Sequence, residues 1–224
     1  MTKHGHSVKR GLLFLRERGN LRSFFLETEA REMNIQPIEE RMEKVLFSAE
    51  QISQRVAELG ERISHDYTRA GCAKDPHGRP PMLVCVLHGA MVFMADLIRR
   101  IPTEVEYDFI CVSSYGNGTS PGAVRLIKDL DRPIYQRDVL IVEDIIDTGH
   151  TIDYLRRGFA ARDPASIRIC TLIDKQARRE VPVEIDYVGF TMERDEFIVG
   201  YGMDYAELYR NLPYIAVLKP EYIR

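Results

Sequence analysis

The chain has no long unbroken apolar run, no large excess of charge, no cysteine pair at metal-ligand spacing, no internal repeat and no low-complexity segment. Each absence removes a class of protein. The most apolar stretch, Met82 to Ile98, is interrupted by His88, Gly89 and Asp96, whereas a membrane span needs a longer and cleaner segment. It reads as strand, turn and helix, and no membrane is expected as a partner. Lysine and arginine together number 31 against 34 aspartates and glutamates, a formal net charge of −3. A surface for nucleic acid carries a basic excess, so nucleic acid is not expected either. A small phosphorylated ligand stays open, because such sites are built locally. Cys72, Cys85, Cys111 and Cys170 are scattered, three of them in strand-like apolar runs, and read as reduced residues of a cytoplasmic protein.

What is present fits one substantial α/β domain with a small appendage, since 224 residues allow that much core. Residues 1–37 differ from the rest and read as an extension. They mix Lys3, Lys9, Arg10, Arg16, Arg18 and Arg22 with the apolar runs at Leu12–Leu15 and Phe24–Leu26, and Glu17, Glu27, Glu29 and Glu32 argue against a targeting peptide. Met33 is a candidate alternative start, with the first 32 residues dispensable. Residues 38–224 carry the domain. Ser48 to Gln51 fits a capping box, and Ile52, Val56, Leu59 and Ile63 continue it at helical spacing to about Ala70. A loop to Pro81 then leads to strand Met82–Leu87, helix Ala90–Arg100 and strand Val105–Ser113. Tyr115 to Gly122 is turn-rich and polar, a mobile loop, and Ala123–Ile127 alternates like an antiparallel or edge strand. Strand Ile167–Ile173 and short strands at Tyr187–Phe190, Phe197–Val199 and Tyr214–Leu218 complete a pattern that favours a parallel sheet covered on both faces. Ligands then bind outside the carboxyl ends of the strands.

Val139 to Ile152 is the most informative segment. An apolar run, Val139–Val142, reads as a buried parallel strand ending in Glu143 and Asp144, and Thr151–Phe159 reads as a helix. Between them Thr148, Gly149 and Thr151 supply the small hydroxyls and free N–H groups that surround a phosphate, and His150 could add a donor. Alternation turns Glu143 and Asp144 in different directions, one suited to a sugar diol and the other to a metal or second hydroxyl. An isolated acidic pair at a strand end usually only solubilises it, but here it adjoins the anion site. Asp147 is either a helix cap or a general base, with Thr148 available to cap in its place.

This segment resembles the phosphoribosyl pyrophosphate (PRPP) signature of type I phosphoribosyltransferases, two acidic residues, two apolar ones and Asp-Thr-Gly. Asp147 places the resemblance in the hypoxanthine/guanine branch. Leu87-His88-Gly89, Ser113 to Gly116, Asp174-Lys175, Phe197 to Asp204 and Tyr209-Arg210 resemble further family motifs in the same order, over roughly Ile38 to Leu218. The implied fold is a Rossmann-like parallel-sheet core flanked by helices, with a small hood and a mobile loop. The implied activity is transfer of the 5-phosphoribosyl group from PRPP to hypoxanthine or guanine, giving IMP or GMP and pyrophosphate.

The resemblance also implies residue roles. Glu143 and Asp144 would hold the ribose hydroxyls, directly or through Mg²⁺. Residues Asp147, Thr148, Gly149, His150 and Thr151 would bind the 5-phosphate, and Asp147 would manage a proton at purine N7. Lys175 would donate to the 6-oxo group, Phe197 would stack on the base and the Ile198 carbonyl would meet a 2-amino group. Leu87, His88, Gly89 and Arg210 would bind pyrophosphate, the loop often through a non-proline cis peptide, and Asp204 a second Mg²⁺. Ser114 and Tyr115 would close over the reacting centre. A homodimer or homotetramer is implied as well. His88 stands where relatives usually carry lysine or arginine. Singly, each residue has a plainer explanation: a surface lysine, a core aromatic, a helix cap at Asp204, a helix-end cation at Arg210. A PRPP-sensing regulator on the same fold is the competing function, and another base, such as xanthine or a pyrimidine, a third.

Overall fold

The computed structural model describes residues 37–68, 73–114 and 124–223. The expectations for residues 1–36, Cys72 and the Tyr115–Gly122 loop lie outside them. The chain divides into two compact units, Met1–Arg41 and Met42–Arg224. In the first, Ile38–Arg41 forms a 3-10 turn.

The second unit holds two sheets. Strands β2 (Met82–Leu87), β3 (Glu106–Ser114), β4 (Val124–Lys128), β5 (Asp138–Ile146), β6 (Ser166–Lys175) and β7 (Tyr187–Met192) form a six-stranded sheet in the order β4-β3-β2-β5-β6-β7. Every pairing is parallel except β3 with β4, the antiparallel edge expected from the alternation before Lys128. The strand order reverses between β2 and β5, so the loops after these two strands diverge and leave a crevice at the carboxyl edge.

The central strands are apolar without alternation because both faces are covered. Leu83, Cys85, Leu140 and Val142 face one core, with Ile52, Val56, Leu59 and Ile63 of helix α1 (Ala49–Thr68) and Phe93 and Leu97 of α2 (Met91–Ile98). Met82, Val84, Val139 and Ile141 face the other, with Ile152, Leu155 and Phe159 of α3 (His150–Ala160). The capping box forms as the sequence predicts: the Gln51 N–H donates to Ser48 Oγ, and the Ser48 N–H donates to Gln51 Oε1 at 2.8 Å. Among the described residues no helix is long and apolar enough to cross a membrane. Cys85, Cys111 and Cys170 are free thiols.

The second sheet is the hood. It joins β1 (Met42–Phe47), β9 (Ile215–Leu218) and β8 (Ile198–Val199), all antiparallel, in the order β1-β9-β8. Its Ile198, Ile215 and Val217 pack into the core on the α1 side.

Candidate active site

Strand β5 does not stop at Val142. It carries Glu143 and Asp144 inside the sheet and ends at Ile146. Both carboxylates are buried, and alternation separates them as expected. Glu143 lines a small recess with Thr148, Gly149 and Thr151, while Asp144 lines a larger cleft with Lys175 and Phe197. Burial, and then the charge of Asp144, raises the Glu143 carboxyl well above the usual range. Burial pushes Asp144 up to about 6, opposed by its own and the Ile145 N–H groups and by Arg210, and reinforced by Asp204. Glu143 Oε2 has no hydrogen-bond partner. A buried acceptor left open in this way is matched to a cation or a hydroxyl donor.

The recess is built by the turn into α3. Gly149 is the helix N-cap at φ 92°, with no side-chain cap, so neither Asp147 nor Thr148 caps the helix. The first N–H groups of α3 therefore lack intrahelical and capping partners, an arrangement able to receive an anion. The loop's carbonyls are occupied from behind. Arg179 Nη2 donates to the Ile146 carbonyl and Nε to the Asp147 carbonyl, each at 3.0 Å, and a further Nη2 contact reaches Asp174 Oδ1 at 2.5 Å. The N–H groups of Glu180 and Val181 both donate to the Thr148 carbonyl at 3.0 Å. The His150 imidazole turns away onto Glu180, 2.8 Å from its carboxylate.

The cleft, of about 190 Å³, brings together Asp144, Asp147, Lys175, Phe197, Ile198 and Asp204. Lys175 ends β6 with its side chain 6% exposed and its Nζ 2.6 Å from Asp195 Oδ1. Phe197, 41% exposed, presents a ring held edge-on by Tyr205 at a centroid distance of 5.4 Å. Asp147 Oδ1 is buried without a partner, and its Oδ2 lies 3.5 Å from Arg178.

In the loop after β2 the Leu87–His88 peptide is cis, and His88 is exposed. Gly89 packs against the Asp144 carboxylate, and Gly202, at φ 102°, packs against the Gly89 carbonyl; a β-carbon at either would overlap its neighbour. The residues after Gly202 form no helix. They make a tight turn with Ala206, Glu207 and Tyr209 at positive φ, an uncommon conformation for side-chain-bearing residues. Arg210 braces it, donating to the Gly202 carbonyl at 2.8 Å and pairing with Asp204 at 2.8 Å and Glu207 at 3.1 Å. Asp204 and Arg210 are thus turn-building residues beside Asp144 instead of a helix cap and a helix end.

Comparison with known proteins agrees with this geometry. Residues 48–206 match the phosphoribosyl transferase domain family model. The chain is 50% identical over 185 residues to a hypoxanthine-guanine phosphoribosyltransferase of Streptococcus thermophilus, covering 82% of this chain and 97% of the relative. The chain belongs to the phosphoribosyltransferase family. It is also 50% identical over 181 residues to a bifunctional TilS/HprT protein of Listeria innocua, covering 80% of this chain but only 26% of that longer protein. The structure of Trypanosoma cruzi hypoxanthine phosphoribosyltransferase in complex with IMP matches with a TM-score of 0.74 and 43% identity, covering 82% of this chain and 97% of that one.

Within this phosphoribosyltransferase, most residues singled out by sequence converge on the carboxyl edge of β2, β5 and β6. Ser114 ends β3, and Tyr115 lies outside the described residues. The His150 side chain is not among those lining the recess. Asp195, Arg178 and Arg179 were not picked out from sequence. A signal for Asp195 existed, because a lysine at the end of a buried strand needs a counter-charge. Arg178 and Arg179 had none beyond their place just after Lys175.

Proposed function

We propose that the protein transfers the 5-phosphoribosyl group of PRPP to a 6-oxopurine, hypoxanthine or guanine, giving IMP or GMP and pyrophosphate. The observation that carries this is one cleft holding a buried ammonium (Lys175), a partly exposed aromatic face (Phe197) and a partnerless carboxylate oxygen (Asp147), beside an anion recess at the start of α3. A purine stacks on Phe197 with its 6-oxo group toward Lys175 and a 2-amino group toward the Ile198 carbonyl. The 5-phosphate sits on the N–H groups and hydroxyls of the Thr148–Thr151 turn, and the ribose hydroxyls meet Glu143 and Asp144.

In the reaction the C1–oxygen bond to pyrophosphate breaks, the bonding electrons leaving with pyrophosphate, and the purine N9 lone pair forms the new bond to C1. The Asp147 carboxylate takes the proton released from N7. Developing positive charge on the ribose ring is stabilised by the neighbouring carboxylates. The backbone of the Leu87–Gly89 loop and Arg210 receive the departing pyrophosphate. The Ser114–Tyr115 segment is proposed to close over the centre and exclude water, which would otherwise hydrolyse PRPP.

Mg²⁺ belongs to the same proposal. Glu143 Oε2 is an orphaned buried acceptor, and Asp144 and Asp204 are within electrostatic reach of each other. Among the described residues no group of three or more histidine, cysteine or acidic side chains is disposed to hold a metal by itself, which suits an ion that binds through one or two carboxylates plus substrate oxygens. Glu143 or Asp144 would hold one ion and Asp204 a second, and when bound Mg²⁺ would neutralise charge on the leaving pyrophosphate. The proposal extends to a cytoplasmic setting, consistent with three free thiols. It extends also to a homodimer or homotetramer, for which exposed Met91, Tyr107 and Ile127 offer apolar surface.

The test is an assay of purified protein with PRPP, Mg²⁺ and hypoxanthine, guanine, xanthine or adenine, following nucleotide and pyrophosphate together. IMP and GMP are expected in equal amount to pyrophosphate, with adenine unused. No nucleotide from any base overturns the proposal and favours a PRPP-binding regulator.

A further inference from the structure

The base cleft is rimmed by four charges of alternating sign. Lys175 Nζ lies 2.6 Å from Asp195 Oδ1, Arg178 Nε lies 4.0 Å from Asp195 Oδ2, and Arg178 Nη1 lies 3.5 Å from Asp147 Oδ2. The geometry points to Asp195 as a positioning and specificity residue, one that fixes the Lys175 ammonium and the Phe197 segment before the purine arrives. This rests on the reading of Lys175 and Phe197 as base contacts.

Lys175 is the member that needs fixing. Its side chain is 6% exposed, and an ammonium removed from water without a counter-charge is strongly disfavoured. It also sits on a flexible four-carbon stem, a point charge with no preferred direction of its own. Asp195 supplies both the charge and the direction. Its position follows from the sheet: Lys175 pairs with Met192 at the end of β7, so the chain leaves β7 beside the ammonium and presents a carboxylate before reaching Phe197 and β8. Asp195 itself is 58% exposed, and no burial holds its loop. The ion pair, with the Arg178 contact beside it, ties the end of β6 to the segment that carries the stacking ring, which the Glu196–Lys44 pair and the Leu218 N–H bond to the Phe197 carbonyl hold to the second sheet. The Lys175 hydrogen bond, then the charges of Lys175 and Arg178, hold the Asp195 carboxyl below the usual range, so it stays ionised at neutral pH.

The consequence is selectivity. An ammonium has three donors and no acceptor. One donor goes to Asp195, which leaves the others aimed at the purine edge in a fixed place. A 6-oxo group can accept from them, whereas the 6-amino group of adenine presents donors and is refused. A donor held in one place refuses more sharply than one that can swing aside, because the mismatched group is then left unpaired.

The experiment compares full-length wild type with Asp195→Asn and Asp195→Glu, measuring KM for hypoxanthine, KM for PRPP and the ratio of kcat/KM for hypoxanthine over adenine. Asp195→Asn is expected to raise KM for hypoxanthine by about tenfold, the scale of one charge-assisted hydrogen bond. KM for PRPP should stay within about twofold, and the hypoxanthine preference should fall. Asp195→Glu keeps the charge and is expected to recover most of the hypoxanthine KM. An unchanged hypoxanthine KM in Asp195→Asn overturns the inference, as does a parallel rise in both KM values, which marks a general structural role. A fall in hypoxanthine KM also overturns it, because Asp195 then competes with the base for Lys175. So does a failure of Asp195→Glu to recover. Each of these is read against an active wild type; a wild type that makes no nucleotide from hypoxanthine and PRPP refutes the underlying function and the inference together.

Discussion

Gly89 lies directly against the carboxylate of Asp144, with no room between them for a β-carbon. The loop after β2 is thereby seated on the acidic end of β5, and Gly202 seats the hood turn on the same loop through the Gly89 carbonyl. Gly89→Ala must move either the loop or a buried carboxylate. A displacement of about 1 Å near reacting groups can cost roughly a hundredfold in rate, so kcat/KM for PRPP should fall by about that factor. Steady-state kinetics alongside a thermal melt checks this: wild-type kinetics in a folded Gly89→Ala protein would show that the contact is dispensable.

Asp147 is proposed to take a proton, and its geometry leaves one carboxylate oxygen open for that role. It does not cap α3, its Oδ1 is buried without a partner and its Oδ2 faces Arg178. Asp147→Asn keeps the shape and loses the base, so kcat should drop by roughly 10²–10⁴-fold, the scale of general acid–base catalysis. KM for PRPP should change by less than about threefold, since the contacts proposed for the 5-phosphate are the N–H groups and hydroxyls of the Thr148–Thr151 turn, not the Asp147 carboxylate. Unchanged turnover would assign the proton to another group.

These two sites differ in how far the sequence announces them. The β5–turn–α3 unit is legible because its determinants are local: apolar residues on both faces of the strand, then small residues where N–H groups must stay open. Even there the sequence reads as a strand over the apolar run Val139–Val142 that ends in Glu143 and Asp144, since adjacent carboxylates ordinarily mark a strand end. The structure runs β5 on to Ile146 because Glu143 and Asp144 face two separate cavities. Strand β1 escapes notice for the opposite reason. It is largely exposed, and register shifts between Met42 and Lys44 and between Val45 and Phe47 erase any alternation. The Lys175–Asp195 pair is invisible locally, because the two residues meet only through the parallel pairing of β6 with β7.

Arg179 gives a third prediction. Its guanidinium occupies the carbonyls of Ile146 and Asp147 and anchors on Asp174, leaving the turn's N–H groups to face the recess. Arg179→Lys cannot reproduce a planar fork on three acceptors. The turn should relax, raising KM for PRPP by about tenfold, as expected for loss of one or two net hydrogen bonds, while KM for hypoxanthine moves by less than about threefold. Equal changes in the two constants would show that Arg179 supports the fold generally instead of the phosphate turn.

Acid sensitivity provides a test away from the cleft. Glu106, at the start of β3, accepts from Arg137 Nη1 at 3.0 Å and Arg132 Nη1 at 2.8 Å. The Arg137 hydrogen bond, and then the two guanidinium charges working against partial burial, hold its carboxyl below the usual glutamate range. With the folded value depressed, the native state binds fewer protons than the unfolded chain in this interval, so the pair's contribution is present above about pH 4.3 and is lost as pH falls through the lower folded value. Glu106→Gln should cost about 1 kcal/mol at pH 7, at the upper end for a partly exposed pair because the Arg137 side chain is itself buried. Urea denaturation of both proteins from pH 7 down to pH 3 reads the difference directly. The gap between the two midpoints should close on acidification, and a gap that stays constant to pH 3 would show that Glu106 acts through packing and not through its charge.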